Sequence, residues 1–222
     1  MSIKENITGI TSELSNKTRL VAVSKYHDNQ AIMQAYTAGQ RIFGESRVQE
    51  LNEKAATLPK DIEWHFIGHL QSNKIKFISP YVSLIHGVDT VKLLNEINKE
   101  GKKINRVIPC LLQIHIAEEE SKFGFSKTEC IDFFQSGEWI ELKNIKICGL
   151  MGMATLTEDM EKVRSEFKQL KSLYDEIKQT WFPSDNSFCE ISMGMSDDYH
   201  IALNEGSTLV RIGSAIFGPR SY

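Results

Sequence analysis

Short β-branched runs alternate with longer helix-patterned segments along the whole chain, and that rhythm restricts the fold more than any single residue does. The strand-like runs are Arg19–Ser24, Arg41–Phe43, Glu63–Ile67, Val82–His86, Val107–His115, Lys146–Met151, Phe188–Ser192 and Leu209–Ile212. Between them lie helical patterns at Asn29–Ala38, Arg47–Ala56, Asn73–Ile78, Val91–Glu100, Lys127–Gln135, Glu158–Trp181 and Asp197–Asn204. Strands that alternate with helices pair in parallel, because each crossover needs a helix's worth of chain. Eight such units in 222 residues predict one α/β domain, residues 1–222, closed as a (β/α)8 TIM barrel. Ile3, Ile7, Ile10 and Leu14 recur at helical spacing and add an extra N-terminal helix within residues 1–17. The rival is an open doubly wound sheet, but no G-x-G-x-x-G follows the first strand and nothing resembles a Walker loop.

Hydrophobic residues make up 41% of the chain and charged residues 25%, an ordinary composition for a folded domain. The net charge of -3 supplies no basic field, which argues against nucleic acid or an anionic membrane as partner. Charges in the first residues interrupt any secretory apolar run, and no stretch reaches the length of a membrane span. Cys110, Cys130, Cys148 and Cys189 are widely spaced without a C-x-x-C, the usage of reduced thiols in a cytoplasmic protein. In the longest helix Met160, Val163, Phe167, Leu170, Tyr174, Ile177 and Trp181 alternate three- and four-residue steps. That stripe is read as the core-facing side of an outer barrel helix, and hence a monomer; a coiled-coil dimer seam is the alternative.

A parallel barrel gathers the C-terminal ends of its strands on one face, so chemistry is sought just after each strand. Lys25 follows the first apolar run, where partial desolvation would lower its pKa and expose an amine able to condense with an aldehyde. By position alone it is equally a lysine snorkelling from a strand end. The last two strands tip the balance. Gly213 and Ser214 follow the eighth, and Ser192-Met-Gly-Met-Ser196 closes the seventh, with Ser196 placed to cap the next helix. Those loops are the habitual phosphate cradle of such barrels. Asp197 and Asp198 are read as first-turn acids and not as a metal pair. Arg211 would be an unpaired charge if it faced the outer helices, so it is expected to face inward. A phosphate cradle, an amine and an inward polar partner for a ring nitrogen together suit pyridoxal 5′-phosphate. His65 and His69 fall on one face of a strand, near a ligand at best, and Glu118–Lys122 reads as a solvated loop.

The chain resembles the pyridoxal phosphate homeostasis proteins, barrels similar to the N-terminal domain of alanine racemase. The resemblance rests on Ala22-Val-Ser-Lys25, Phe43-Gly-Glu45, Trp64-His-Phe-Ile-Gly-His-Leu-Gln-Ser-Asn-Lys74, Glu120-Ser-Lys-Phe-Gly124, Gly149-Leu-Met, Ser192-Met-Gly-Met-Ser-Asp-Asp198 and Val210-Arg-Ile-Gly-Ser-Ala-Ile-Phe-Gly218, in family order. It implies that Lys25 is the Schiff-base lysine, that Arg211 faces the pyridine nitrogen, and that Ser192, Ser196, Gly213 and Ser214 surround the phosphate. Ser46-Arg47 stands where the family has Asn-Tyr, so Ser46 is the expected remnant of that cofactor contact. His27-Asp28 replaces a proline, which predicts a looser loop after Lys25.

An arginine on the ring nitrogen keeps that nitrogen unprotonated and the ring a poor electron sink. Racemisation would further need an acid–base group opposite Lys25. In alanine racemases that group comes from a second domain, and the chain's end at Tyr222 leaves none in view. The expectation is therefore a non-catalytic protein that buffers or delivers pyridoxal phosphate, with apo-enzymes that use this cofactor as partners. A weak amino-acid racemase is the alternative, and a cofactor-free Schiff-base aldolase a third.

Overall fold

The computed structural model describes residues 2–118 and 123–218. Its eight strands are β1 (Arg19–Val23), β2 (Ile42–Glu45), β3 (Glu63–Phe66), β4 (Leu84–Val88), β5 (Ile108–Ile114), β6 (Ile145–Gly152), β7 (Glu190–Ser192) and β8 (Leu209–Ile212). All neighbours pair in parallel, and β8 returns to β1 through Arg19↔Leu209 to Ala22↔Ile212, so the sheet closes in chain order. The expected barrel is what forms.

The crossovers are α2 (Asn29–Thr37), α3 (Val48–Thr57), α4 (Ile75–Ile78), α5 (Val91–Lys103), α6 (Lys127–Ser136), α7 (Met160–Trp181) and α8 (Tyr199–Asn204); α1 (Ile3–Glu13) precedes β1 and α9 (Ser214–Phe217) follows β8. Local sequence explains several ends. Ser2 and Glu5 close a capping box on α1, and Ser126 and Glu129 close another on α6. Asp28 and Thr90 cap α2 and α5 by accepting backbone N–H bonds. Helix α1 stops at Leu14, short of the expected limit at residue 17, and packs beside α2 and α9.

Apolar side chains divide into two cores. The larger lies between the strands and the ring of helices. The smaller fills the barrel itself with Val21, Ile42, Leu84, Leu111, Met151 and Leu209. The stripe on α7 belongs to the first: Val163, Phe167, Leu170 and Ile177 are buried in it, as the reading of a core-facing helix required.

Strand limits differ from expectation mainly at glycines, which are depleted in strands. β2 runs on through Gly44, where a Cβ would lie 3.0 Å from Val21 Cγ1 and 3.3 Å from Ile67 Cδ1, too tight for this narrow interior. β6 runs one residue beyond expectation at each end, to Ile145 and Gly152, and Gly149, already within the expected strand, holds φ +151°, where a Cβ would sit 1.8 Å from the Glu190 carbonyl oxygen of β7. Only glycine lets the two strands approach there. Replacing Gly149 with alanine should therefore cost about 2–5 kcal/mol in denaturant unfolding or leave the protein insoluble, the sum of backbone strain and overpacking. Wild-type stability in that variant would show that the two strands can part without penalty.

Candidate functional site

The mouth of the barrel is built from the segments that leave the C-terminal strand ends. After β1 the chain turns at once: Ser24 N–H donates to the Gly44 carbonyl at 3.0 Å, and His27 N–H donates back to the Ser24 carbonyl at 3.1 Å. Lys25, half-buried, stands inside that turn, and Tyr26 beside it holds φ +69°. Positive φ in a non-glycine residue carries strain and persists only where the surroundings hold it.

The loop after Lys25 is tied down, contrary to the expectation raised by the missing proline. His27 stacks on Phe217 with centroids 4.7 Å apart, Asp28 Oδ1 accepts the Ala31 N–H at 2.8 Å, and the Arg47 guanidinium lies 4.7 Å from the centre of the Tyr26 ring. Side chains thus hold this loop without a proline.

Arg211 faces inward. Its Nη1 donates to Ser192 Oγ at 2.5 Å and its Nη2 to the Gly152 carbonyl at 3.1 Å. Ser192 Oγ is 2.9 Å from His86 Nδ1, and His86 Nε2 is 3.0 Å from His65 Nδ1. Because β4 and β7 are not neighbours in the ring, the His86–Ser192 contact can only cross the interior. All four residues are buried. Burial pushes the Arg211 guanidinium down to about 10, with Asp198 opposing, so it remains a cation at neutral pH. Burial drives His65 down to about 3, helped by Arg19, and drives His86 well below its usual value, helped by His65 and Arg211. The barrel thus holds one charge and two neutral rings.

The remaining expected residues lie along the rim. Ser46, half-buried, directly follows β2, and its backbone closes against Gly68, where a Cβ would meet the Ser46 carbonyl oxygen at 2.4 Å. Gly213 is half-buried after β8, with Val23 O 3.1 Å from where a Cβ would be, and the exposed Ser214 opens α9. Ser192 stands apart from these rim residues, its hydroxyl engaged by Arg211 and His86. Ser196 does not cap a helix. It lies in a turn, α8 begins only at Tyr199, and the loop is fixed instead by Asp198 Oδ1 accepting the Met195 N–H at 2.5 Å. Two aspartates in sequence had hidden that this turn uses the second as its internal acceptor.

Two further groups escaped the sequence reading. His69 Nδ1 donates to Asp89 Oδ2 at 2.9 Å, with Asp89 buried, and the His69 ring stacks on Phe123 at 4.5 Å. Behind the Lys25 turn, Glu45, Glu50 and Lys54 form a cluster treated below. The His65–His69 spacing was visible in the sequence, but β3 ends at Phe66, so only His65 lies on the strand, and their separate partners, His86 on β4 and Asp89 just beyond it, could not be read from it. Of the expected loop Glu118–Lys122, residues 119–122 lie outside the described residues, as does Glu120 of the motif that it opens. All four cysteines are free thiols, Cys110 and Cys130 buried. Among the described residues no cluster suited to a metal ion occurs, and no helix is long and apolar enough to cross a membrane.

A closed parallel barrel with a lysine in the turn after β1 and a buried arginine on β8 defines the class of the alanine racemase N-terminal domain, whose family model matches residues 1–221. The chain belongs, within that class, to the pyridoxal phosphate homeostasis protein family. It is 38% identical over 208 residues to the Aquifex aeolicus pyridoxal phosphate homeostasis protein, covering 93% of this chain and 89% of that one. With the Homo sapiens protein of the same name it shares 40% over 217 residues, 92% of this chain and 77% of the human one. PipY of Synechococcus elongatus superimposes with a TM-score of 0.91 in its structure without PLP and 0.88 in that with PLP bound, at 34% and 33% identity over 98% of this chain and all of PipY.

The neutral histidines make a checkable demand on pH. In the unfolded chain each ring takes up a proton below about pH 6.5, whereas the folded barrel refuses it down to far lower pH. Their contribution to stability is therefore complete above about pH 6.5 and is lost as pH falls through that value. By linkage, each ring costs about 2 kcal/mol at pH 5 relative to pH 7.5. Denaturant titrations of wild type and His65→Asn at both pH values isolate the term, since burial raises Glu45 and Asp198 and gives them the opposite sign. An equal pH dependence in the two proteins would mean that His65 already titrates in the folded state.

Proposed function

We propose that this protein binds pyridoxal 5′-phosphate covalently through Lys25 and serves to hold, buffer or deliver it, acting on cellular vitamin B6 balance without strong catalysis. The observation that carries the reading is the pairing of a half-buried lysine in a tied turn at the mouth with a buried guanidinium that stays charged beneath it. The relatives' shared name and PipY's structure with PLP bound support the same ligand.

The residues present fit the group. Guanidinium carries five N–H donors, and Ser192 and the Gly152 carbonyl engage one each, so Arg211 retains donors for a pyridine nitrogen. Gly213 and Ser214 open α9 at the rim, where the first N–H groups of a helix have no intrahelical acceptor and suit phosphate oxygens. Ser196, in the loop that Asp198 shapes, and Ser46, beside β2, would add hydroxyl contacts. In this arrangement Ser192 serves chiefly to orient Arg211, being hydrogen-bonded to it.

When bound, pyridoxal phosphate supplies an aldehyde that condenses with an amine and releases water. Lys25 holds the ligand at that carbon. Arg211 donates to the ring nitrogen and, as a cation, keeps a second proton off it. Asp198 and the glycines keep the loops close. Purified protein mixed with pyridoxal phosphate should turn yellow, borohydride should fix the label on Lys25, and Lys25→Ala should take up none; a wild-type protein that stays colourless with excess cofactor sinks the reading.

A second reading, a weak amino-acid racemase, is favoured by one observation. The hydrogen-bonded His69–Asp89 dyad beyond β3 is a carboxylate-oriented imidazole, the kind of acid–base group the sequence alone did not reveal. Inversion of an L-amino acid above the rate with free cofactor, abolished by both Lys25→Ala and His69→Phe, would establish it. Inversion that survives His69→Phe would remove His69 from the account.

A further inference from the structure

Both residues flanking Lys25 are held by a charged cluster that never enters the barrel. Ser24 Oγ donates to Glu45 Oε1 at 2.6 Å, and Lys54 Nζ donates to the Ser24 carbonyl at 2.8 Å. On the other side, Tyr26 N–H donates to Glu50 Oε1 at 2.7 Å. Lys54 joins the two carboxylates, at 2.7 Å from Glu45 Oε1 and 2.6 Å from Glu50 Oε1. Glu45 ends β2, and its outward side follows from alternation: Ile42 packs inside the barrel and Phe43 in the outer core. Lys54 reaches it from the barrel-facing side of α3, and both are almost wholly buried.

A buried lysine–glutamate pair is a poor way to attach a helix. Desolvating two charges costs nearly as much as their attraction returns, and apolar packing of equal volume commonly does as well. Burial raises the Glu45 carboxyl, Lys54 and Ser24 only partly opposing it, and Glu45 Oε2 has no hydrogen-bond partner at all. What the cluster accomplishes is local. It ties the Ser24 hydroxyl and carbonyl and the Tyr26 amide, leaving the Lys25 residue between fixed points while Tyr26 is kept at φ +69°.

We infer that Lys54, with Glu45 and Glu50, is a positioning cluster that presets the Lys25 turn and so governs how fast Lys25 captures and releases its ligand. The inference rests on the reading of Lys25 as the cofactor tether. None of the three touches the ligand; each acts through residues 24 and 26. Glu50 is the most accessible of the three, with its side chain 20% exposed, and is the member to remove first.

The test uses the full chain and compares Glu50→Ala, which loses the acceptor for Tyr26 N–H, with Glu50→Gln, which keeps an oxygen there. In cofactor-free protein, amide hydrogen exchange at Tyr26 should quicken at least about tenfold in Glu50→Ala, the worth of a hydrogen bond to a charged group, and stay near wild type in Glu50→Gln. The rate of colour development with pyridoxal phosphate should fall by a comparable factor in the alanine variant alone. Should Glu50→Ala not fold, Ser24→Ala cuts the hydroxyl link to Glu45 and is expected to slow capture in the same sense. Wild-type exchange and capture in Glu50→Ala would overturn the inference, as would equal losses in both Glu50 variants, the mark of a purely structural charge. Borohydride failing to label Lys25 in wild type would instead overturn the tether, while exchange at Tyr26 would still decide whether the cluster clamps the turn.

Discussion

The hydrogen-bonded return of β8 onto β1 governs the rest of the molecule. Once that pairing closes the ring, every strand's C-terminal end lies on one face and every inward side chain competes for the same narrow interior. The chain meets that competition by layering. Val21, Ile42, Leu84, Leu111, Met151 and Leu209 form an apolar filling, and Gly44 yields space where even a methyl group would crowd Val21 and Ile67. The inward polar residues Arg211, Ser192, His86 and His65 are hydrogen-bonded to one another across the ring. Burial holds both imidazoles neutral, and at His86 the neighbouring His65 ring and the Arg211 charge push the same way.

Outside the ring the same demand is met differently. Lys54 and Glu45 are buried between α3 and β2 as a charged pair that also bonds Ser24, the residue before Lys25, and Glu50 joins it by accepting the Tyr26 N–H on the other side. One charged arrangement lies inside the barrel beneath the mouth, and the other lies behind the turn that carries the lysine. The first determines the electrostatics of the site and the second its geometry.

Much of this was legible in the sequence, and what was not has a physical reason. The barrel could be read because its signal is repeated: eight strand-like runs each followed by helix or turn leave few topologies. The places of Lys25, Gly213 and Ser214 just beyond β1 and β8 could be read because the apolar runs of those strands end there. The inward direction of Arg211 followed from the cost of the alternative. The His65–His86–Ser192 chain could not be read, since it joins residues 21 and 106 positions apart across a closed ring. Nor could the role of Asp198, because a turn that consumes its own carboxylate looks in sequence like a helix start. The cluster of Glu45, Glu50 and Lys54 spans a strand end and a helix, and only their packing gives it a target.

The separation of charge from geometry bears on why a lysine at this mouth would act as a tether. Catalysis on a carbon acid needs a ring able to accept electrons and a proton carrier poised opposite the amine. In the proposed arrangement Arg211 works against the first, since a guanidinium whose pKa is about 10 is a cation at neutral pH and would keep a proton off a ring nitrogen that it faced. The cluster behind Lys25 serves neither requirement. It holds the residues on both sides of Lys25, an arrangement suited in the proposed reading to repeated capture and release. His69, oriented by Asp89, is the group that could alter that balance, because it brings an acid–base function to the rim without any further domain. Whether the barrel stores its ligand or also turns over on it thus comes down to one imidazole, while the tethering lysine is the same in both cases.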